Sequence, residues 1–241
     1  MAQTVPASIP VVLIPGYLLD ADIWRDVTTR LSPERDVVVP DLAAFDTVEA
    51  MAEHLLATLP PAFTVAGLSL GGYVAMAMAR RAPARIARMV LVNTKPTPDP
   101  AAARERRMQL RALAEGGRLA EAQRALEPLM LTDCHRIEGA QALTRLRAMY
   151  SRSDATRFVR HQNALNTRPD HSEALGAVTM PTLVVASRKD ALIPFDVTLE
   201  MIRRLPNARV VLLEDTGHLS LLERPLETAE ILSRFLAGSA A

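Results

Sequence analysis

The sequence has 241 residues, of which 49% are apolar and 23% are charged, so the chain is long and apolar enough to bury a large core. This composition excludes a disordered chain and a coiled coil. The net charge of +1, with basic residues spread along the chain, gives no electrostatic reason to expect a nucleic-acid partner.

Six short runs of β-branched and apolar residues follow one another along the chain. They are residues 9–14, 36–39, 63–66, 89–92, 183–186 and 209–213. Such near-continuous runs are typical of strands buried on both faces of a parallel sheet. Segments of helical length separate most of the runs: residues 21–31, 47–59, 71–81 and 194–205. The alternation predicts an α/β fold with a doubly wound, mainly parallel sheet of about six or more strands.

One long interval interrupts this alternation. Roughly ninety residues separate the predicted strand that ends near Asn93 from the next one, and they are rich in Arg, Ala and Leu. We expect several short amphipathic helices there, inserted after the strand near Asn93. The predicted organisation is therefore an α/β core of residues 1–95 and 180–241 with a helical cap of residues 96–179.

The segment 67–71 reads Gly-Leu-Ser-Leu-Gly and lies between a predicted strand and a predicted helix. A G-x-S-x-G pattern in this context is typical of a nucleophile elbow, a sharp turn that exposes a serine hydroxyl. Ser69 is therefore the candidate nucleophile. The alternative interpretation is a tight turn that contains an ordinary serine.

A serine hydroxyl needs a base to accept its proton and a third group to orient that base. Asp190 and His218 each follow a predicted strand, and the carboxyl ends of parallel strands meet at one edge of a sheet. We expect His218 to act as the base and Asp190 to orient it. Asp190 could instead cap the helix near Pro194, with His218 a surface residue and Asp215 an alternative carboxylate.

With these residues in place, the chain resembles the α/β-hydrolase fold superfamily, in its group of capped, carboxylesterase-like serine hydrolases. The matching segments carry the elbow, the acid and the base in the family's order, and they are residues 11–17, 67–72, 187–194 and 217–225. The resemblance implies an oxyanion hole formed by the backbone N–H groups of Tyr17 and Leu70. Pro15 stands where the family usually has histidine.

The resemblance implies a serine hydrolase that cleaves a carboxylic ester, a thioester or a lactone of a small acyl substrate through an acyl-enzyme. Two alternatives stay open: a ligand-binding receptor with little turnover, and a hydrolase or lyase acting on carbon–carbon bonds with the same triad. We expect apolar cap residues to line the substrate pocket. The pocket candidates are Gly16, Leu129, Met130 and Met149.

The charge of the predicted cap leaves room for an anionic group at the remote end of the substrate. Residues 97–179 contain thirteen Arg and no Lys against ten Asp and Glu, which gives a formal charge of +3 (13 − 10) with histidines neutral. Most of these charges are expected on solvated helix surfaces. Four histidines are likewise interpreted as surface or cap residues: His54, His135, His161 and His171.

The remaining expectations are absences. Residues 1–10 lack a basic segment, and Pro15 and Gly16 cut the first apolar run before it reaches signal-peptide length. No run approaches the roughly 18 apolar residues of a membrane span, so we expect a cytoplasmic protein without a membrane partner. Cys134 is the only cysteine, and the histidines show no close ligand pair. The sequence therefore predicts no disulfide, no metal and no cofactor.

Overall fold

A six-stranded sheet forms the centre of the molecule, of which the computed structural model describes residues 9–33 and 35–237. All strands are parallel, in the order β2-β1-β3-β4-β5-β6. The predicted α/β fold class is confirmed. The strands are β1 (Val11–Ile14), β2 (Val37–Val38), β3 (Phe63–Leu68), β4 (Ile86–Val92), β5 (Thr182–Ser187) and β6 (Ala208–Leu213).

The strand boundaries differ from the predicted runs by a few residues. β1 begins at Val11 instead of residue 9, after Pro10, which has no N–H to donate to a neighbouring strand. β3 continues two residues beyond residue 66, because Gly67 and Leu68 pair with β4 up to the turn. β2 is only two residues long and forms one edge of the sheet.

Helices flank the sheet, and α1 packs on α11 while α2 packs on α3. Thr47 caps α2 by accepting a hydrogen bond from the N–H of Ala50 at 3.1 Å. α11 has no counterpart among the predicted helices. The helices are α1 (Arg25–Leu31), α2 (Val48–Thr58), α3 (Leu70–Arg81), α4 (Ala101–Glu115), α5 (Leu119–Arg124), α6 (Glu127–Met130), α7 (Gln141–Ser151), α8 (Ala155–Thr167), α9 (Phe195–Ile202), α10 (Ser220–Glu223) and α11 (Pro225–Ala237).

The long interval between β4 and β5 contains α4 to α8 and no strand. Many of its apolar side chains, Leu143 and Met149 among them, are buried in the same hydrophobic cluster as the sheet, whereas Met108 and Ile137 are exposed. Ion pairs also join the interval to α1 and the residues just before it. Arg145 pairs with Asp26 at 3.0 Å, and Arg152 pairs with Asp20 at 2.6 Å. The division of the chain into a core and a cap remains a prediction.

None of the described helices combines the length and the apolar character that crossing a membrane would require. The expectation that the N-terminal segment lacks a leader concerns residues 1–10, and residues 1–8 lie outside the described part of the chain.

Candidate active site

Ser69 lies at the turn that joins β3 to α3. Its backbone has φ 52° and ψ −110°, a left-handed conformation that costs a residue with a side chain about 1–3 kcal/mol. Two hydrogen bonds from neighbouring segments hold it there. Its N–H donates to the carbonyl of Val92 at 3.0 Å, and its carbonyl accepts from Thr94 Oγ1 at 3.0 Å.

Close backbone contacts explain the glycines around Ser69. A Cβ atom on Gly67 would lie 2.2 Å from the carbonyl oxygen of Gly71, and one on Gly71 would lie 2.2 Å from that of Ile14. A Cβ on Gly72 would lie 2.5 Å from the Thr94 side chain. The glycines therefore let α3 begin directly against the ends of β1 and β3, which fixes the position of the Ser69 turn.

His218 and Asp190 form a buried pair, with Nδ1 of the imidazole 2.8 Å from Oδ2 of the carboxylate. The second oxygen of Asp190, Oδ1, accepts from the N–H groups of Leu192 at 2.8 Å and Ile193 at 2.9 Å. Asp190 thus caps its own turn and binds His218 at the same time. A carboxylate at Nδ1 orients the ring and leaves Nε2 available as a proton acceptor.

Asp215, the alternative carboxylate, has a different partner. Its exposed side chain pairs with Lys189 at 2.9 Å, whereas Asp190 holds His218. Ser69 and His218 line the same cavity. In the described part of the chain no hydrogen bond joins Ser69 Oγ to the His218 ring, and such contacts commonly tighten only when substrate binds.

Two polar residues missed by the sequence analysis support the loop that carries His218. Asn93, at the end of β4, donates from Nδ2 to the carbonyl oxygens of His218 at 2.7 Å and Gly217 at 3.3 Å. The buried carboxylate of Glu223 accepts from the N–H of Gly217 at 3.2 Å. The signal for Asn93 was available, because it follows a strand at the carboxyl edge of the sheet.

The segment with Gly16 and Tyr17 lies against the first turn of α3. Gly16 and Leu70 both line a narrow cavity of about 10 Å³, a volume close to that of one water-sized probe. Tyr17 is buried, and its hydroxyl accepts from Gln162 Nε2 at 2.8 Å. Its ring meets that of Phe158 edge to face, with centroids 5.6 Å apart.

His161 is buried on α8 beside this segment. Its Nδ1 lies 3.5 Å from the N–H of Leu18, and its Nε2 lies 3.4 Å from the carbonyl oxygen of Leu42. Both contacts suit a neutral ring protonated at Nε2. Burial, reinforced by the nearby Arg157 guanidinium, lowers the pKa of His161 from 6.5 to about 4.

This depressed pKa predicts that the protein loses stability as the pH falls from about 6.5 towards 4. In that window the unfolded chain binds a proton at residue 161 and the folded chain does not, so acid favours unfolding by up to about 3 kcal/mol. Denaturant unfolding at several pH values measures the effect. The free energy of unfolding of His161→Gln should decline less over this window than that of the wild type.

The comparison between variants isolates His161 from other groups. Burial also lowers the pKa of His171, which stays in both proteins and contributes to both slopes. His54→Gln, a change at an exposed position, is the matched control and should keep the wild-type slope. Equal slopes for wild type and His161→Gln would contradict the assignment.

A cavity of about 500 Å³ opens over Ser69 and His218. One wall comes from the segment after Asp190, and the other comes from the segment after β4 and the start of α4. The second wall carries four charged residues that the sequence analysis did not single out. They are Lys95, Asp99, Arg106 and Arg107.

The four predicted pocket residues lie elsewhere. Met130 and Met149 are buried in the hydrophobic core, Leu129 is half-buried, and Gly16 lines the narrow cavity beside Leu70. None of them is among the residues that line the cavity over Ser69. Their role in substrate binding remains a prediction. Across residues 9–33 and 35–237, no group of three or more His, Cys, Asp or Glu side chains is placed to hold a metal ion.

The amino-acid sequence is similar to a known protein family and to named enzymes. A sequence profile described as "Alpha/beta hydrolase family" matches residues 11–231. A pimeloyl-[acyl-carrier protein] methyl ester esterase from Aromatoleum aromaticum is 29% identical, over 94% of this chain and 98% of its own length. A protein of Pseudomonas savastanoi pv. phaseolicola is provisionally named a carbamate hydrolase, RutD. It is 30% identical, over 93% of this chain and 92% of its own length.

Among solved structures, a thermophilic esterase from Thermogutta terrifontis superposes with a TM-score of 0.87. It is 28% identical in sequence, and the match covers 96% of this chain and 90% of that one. The match therefore extends over both the strands and the helical interval between β4 and β5.

Proposed function

The chain belongs to the alpha/beta hydrolase family, and on this premise we propose that it is a serine hydrolase that cleaves a carboxylic ester through an acyl-enzyme on Ser69. One observation carries the proposal. Ser69 is held in a strained turn over the same cavity as His218, and the ring of His218 is fixed by Asp190 at 2.8 Å. Relatives named as esterases support the choice of substrate class.

Acylation begins when Ser69 Oγ attacks the carbonyl carbon of the ester and its proton passes to His218 Nε2. The tetrahedral intermediate then collapses, the bond between the carbonyl carbon and the alcohol oxygen breaks, and the imidazolium gives its proton to the departing alcohol. Asp190 stabilises the imidazolium and keeps the ring oriented.

Deacylation repeats these steps with water as the nucleophile. His218 accepts a proton from water as the water oxygen attacks the acyl carbon. The bond to Ser69 Oγ breaks, the serine regains a proton from the imidazolium, and the carboxylic acid leaves. The enzyme returns to its starting state without a cofactor.

The developing oxyanion of both intermediates would be bound by the backbone N–H groups of Tyr17 and Leu70. Leu70 is the first residue of α3, where the helix dipole places partial positive charge. The Gly16–Tyr17 segment reaches this point because Gly71 allows β1 to end against the helix. Loss of one such donor typically costs about 10² to 10³ in rate.

Esters are the first substrate class, and the same acyl-enzyme also serves thioesters and lactones. The relative named as a carbamate hydrolase makes a carbamate the second candidate, since that bond is also attacked at a carbonyl carbon. The presence of Ser69, His218 and Asp190 together favours an enzyme over a ligand-binding receptor, because a receptor does not need a base that is oriented by a carboxylate.

Covalent labelling tests the proposed nucleophile. A fluorophosphonate should modify the protein once, and peptide mass spectrometry should place the label on Ser69, because an activated serine alone reacts rapidly. Ser69→Ala should remain unlabelled, whereas Ser151→Ala, a change at an exposed serine, should be labelled like the wild type. Modification at another residue, or no modification at all, would contradict the proposal.

A further inference from the structure

The cavity wall opposite Asp190 contains an unbalanced cluster of charges. Of the described residues that line the cavity, Asp99 alone is acidic. Its Oδ1 lies 3.0 Å from Lys95 Nζ and 2.8 Å from Arg168 Nη2, and its Oδ2 lies 2.9 Å from Arg107 Nη2. Three cations therefore surround one carboxylate, which leaves a formal charge of +2 (3 − 1).

This cluster is largely buried, so its excess positive charge loses hydration and destabilises the folded protein unless an anion pairs with it. The side chains of Lys95 and Asp99 are each 7% exposed, and that of Arg168 is 1% exposed. Burial alone would raise the pKa of Asp99, yet its bonds to Arg168, Arg107 and Lys95 hold it well below its ordinary value. The carboxylate is thus ionised, and both of its oxygens are bound to cations. Its single negative charge cannot balance all three of them.

Two of the cations keep hydrogen-bonding capacity towards the cavity. The ammonium of Lys95 has three N–H donors, and among the described residues it pairs with Asp99 alone. Arg107 binds Asp99 through Nε and Nη2, while its Nη1 reaches Gln162 only at 3.5 Å. The exposed Arg106 also lines the cavity and forms no ion pair within the described residues.

Several other arginines of the helical interval pair with carboxylates on the surface, whereas Arg104, Arg124 and Arg160, like Arg106, form no ion pair within the described residues. Arg111 pairs with Glu115 on the surface of α4, and Arg118 pairs with Glu121. Arg147 bridges Glu127 and Glu138. Within the Asp99 cluster, Arg168 lies over the ring of Tyr73, 4.3 Å from its centroid, whereas Lys95 and Arg107 line the space above Ser69.

We propose that the preferred substrate is an ester with a second, anionic group, a carboxylate or a phosphate, which binds Lys95, Arg106 and Arg107 while the ester carbonyl lies at Ser69. The inference rests on the proposed function. Guanidinium groups bind both kinds of oxyanion through paired N–H donors, and Lys95 adds a point charge. An anion at this place would offset the buried excess charge, so it is expected to strengthen binding beyond that of a neutral ester.

Matched substrates test this selectivity in the wild-type protein. The anionic series consists of the mono-para-nitrophenyl esters of succinic, glutaric and adipic acid. The neutral series consists of para-nitrophenyl alkanoates of equal chain length. A third series carries a phosphate in place of the carboxylate. The best anionic ester should exceed its neutral match by about tenfold or more in kcat/KM. The advantage should shrink as the salt concentration rises. The carboxylate and phosphate series identify which oxyanion is preferred.

Variants connect the selectivity to the cluster. Arg106→Gln should lower the anionic-to-neutral ratio of kcat/KM about threefold or more, and Lys95→Met should lower it about tenfold. The Arg106 side chain forms no ion pair or hydrogen bond with the described residues, so its variant keeps the test valid if Lys95→Met fails to fold. Arg111→Gln, on the same helix but away from the cavity, should leave the ratio unchanged.

Binding to Ser69→Ala separates this inference from the proposed function. Calorimetric titration of this variant with the anionic ester and its neutral match measures recognition without turnover. Tighter binding of the anionic ester than of its neutral match, with the difference reduced by adding Arg106→Gln, supports the inference. If the wild type hydrolyses no ester but this binding difference is found, the proposed function is rejected and the inference stands. Equal binding of the two esters would overturn the inference.

Discussion

Replacing Ser69 with alanine is expected to lower kcat/KM for a para-nitrophenyl ester about 10³-fold or more. The alanine variant has no hydroxyl to form the acyl-enzyme, so only the oxyanion donors and substrate binding would continue to assist attack by water. Steady-state kinetics with purified protein measures the loss. Rapid-quench experiments should also show an initial burst of alcohol release in the wild type, if deacylation limits turnover, and none in the variant.

The conformation of Ser69 makes folding a necessary control. Ser69 has φ 52°, and alanine at the same position meets the same backbone strain, so the variant should unfold at a temperature close to that of the wild type. Ser151→Ala provides the second control, because this exposed serine lies away from the cavity. Retention of most activity by folded Ser69→Ala would reject Ser69 as the nucleophile.

Replacing Asp190 with asparagine is expected to reduce kcat about 10³- to 10⁴-fold. Asparagine fits the same space, but it cannot stabilise the imidazolium, and its amide favours the wrong tautomer of His218. The oxygen of the new amide can still accept from the N–H groups of Leu192 and Ile193, as Oδ1 of Asp190 does now. The turn should therefore keep its shape, and the effect should fall on kcat rather than on folding.

Asp215→Asn is the matched control for this substitution. Asp215 lies on the same loop as His218, but its side chain is exposed and pairs with Lys189 at 2.9 Å. An exposed pair of this kind contributes little, so activity and stability should stay near those of the wild type. A large loss in Asp215→Asn together with an active Asp190→Asn would assign the orienting role to Asp215 instead.

The sequence alone determined the order of the strands and of most of the helices between them. A strand buried on both faces favours a near-continuous apolar run, and residues 183–186 of β5 form one, while β3 is interrupted only by Thr64 and Gly67. The positions of Ser69, Asp190 and His218 were predictable for a related reason. Each follows a strand, and parallel strands end at one edge of the sheet, so residues far apart in sequence must meet there.

Supporting residues around these positions were harder to anticipate. Asn93 follows a strand and could have been singled out, whereas Glu223 holds the loop of His218 through the N–H of Gly217, and such a bond leaves no pattern in the sequence. His161 carries no signal of burial, because it stands among polar residues on α8. Only the packing of α8 on the Gly16–Tyr17 segment shows that its ring is enclosed and neutral.

The charged wall of the cavity was decided by tertiary structure. Composition indicated an excess of arginine in residues 97–179, but the expected pocket lining was apolar. Lys95 and Asp99 come from the segment after β4, Arg107 from α4, and Arg168 from the end of α8. Each of these side chains could equally face solvent on an isolated helix or loop. Which cations share the single carboxylate depends on distances and burial that arise only when the segments pack together, because an ion pair requires its two groups to meet in space and not in sequence.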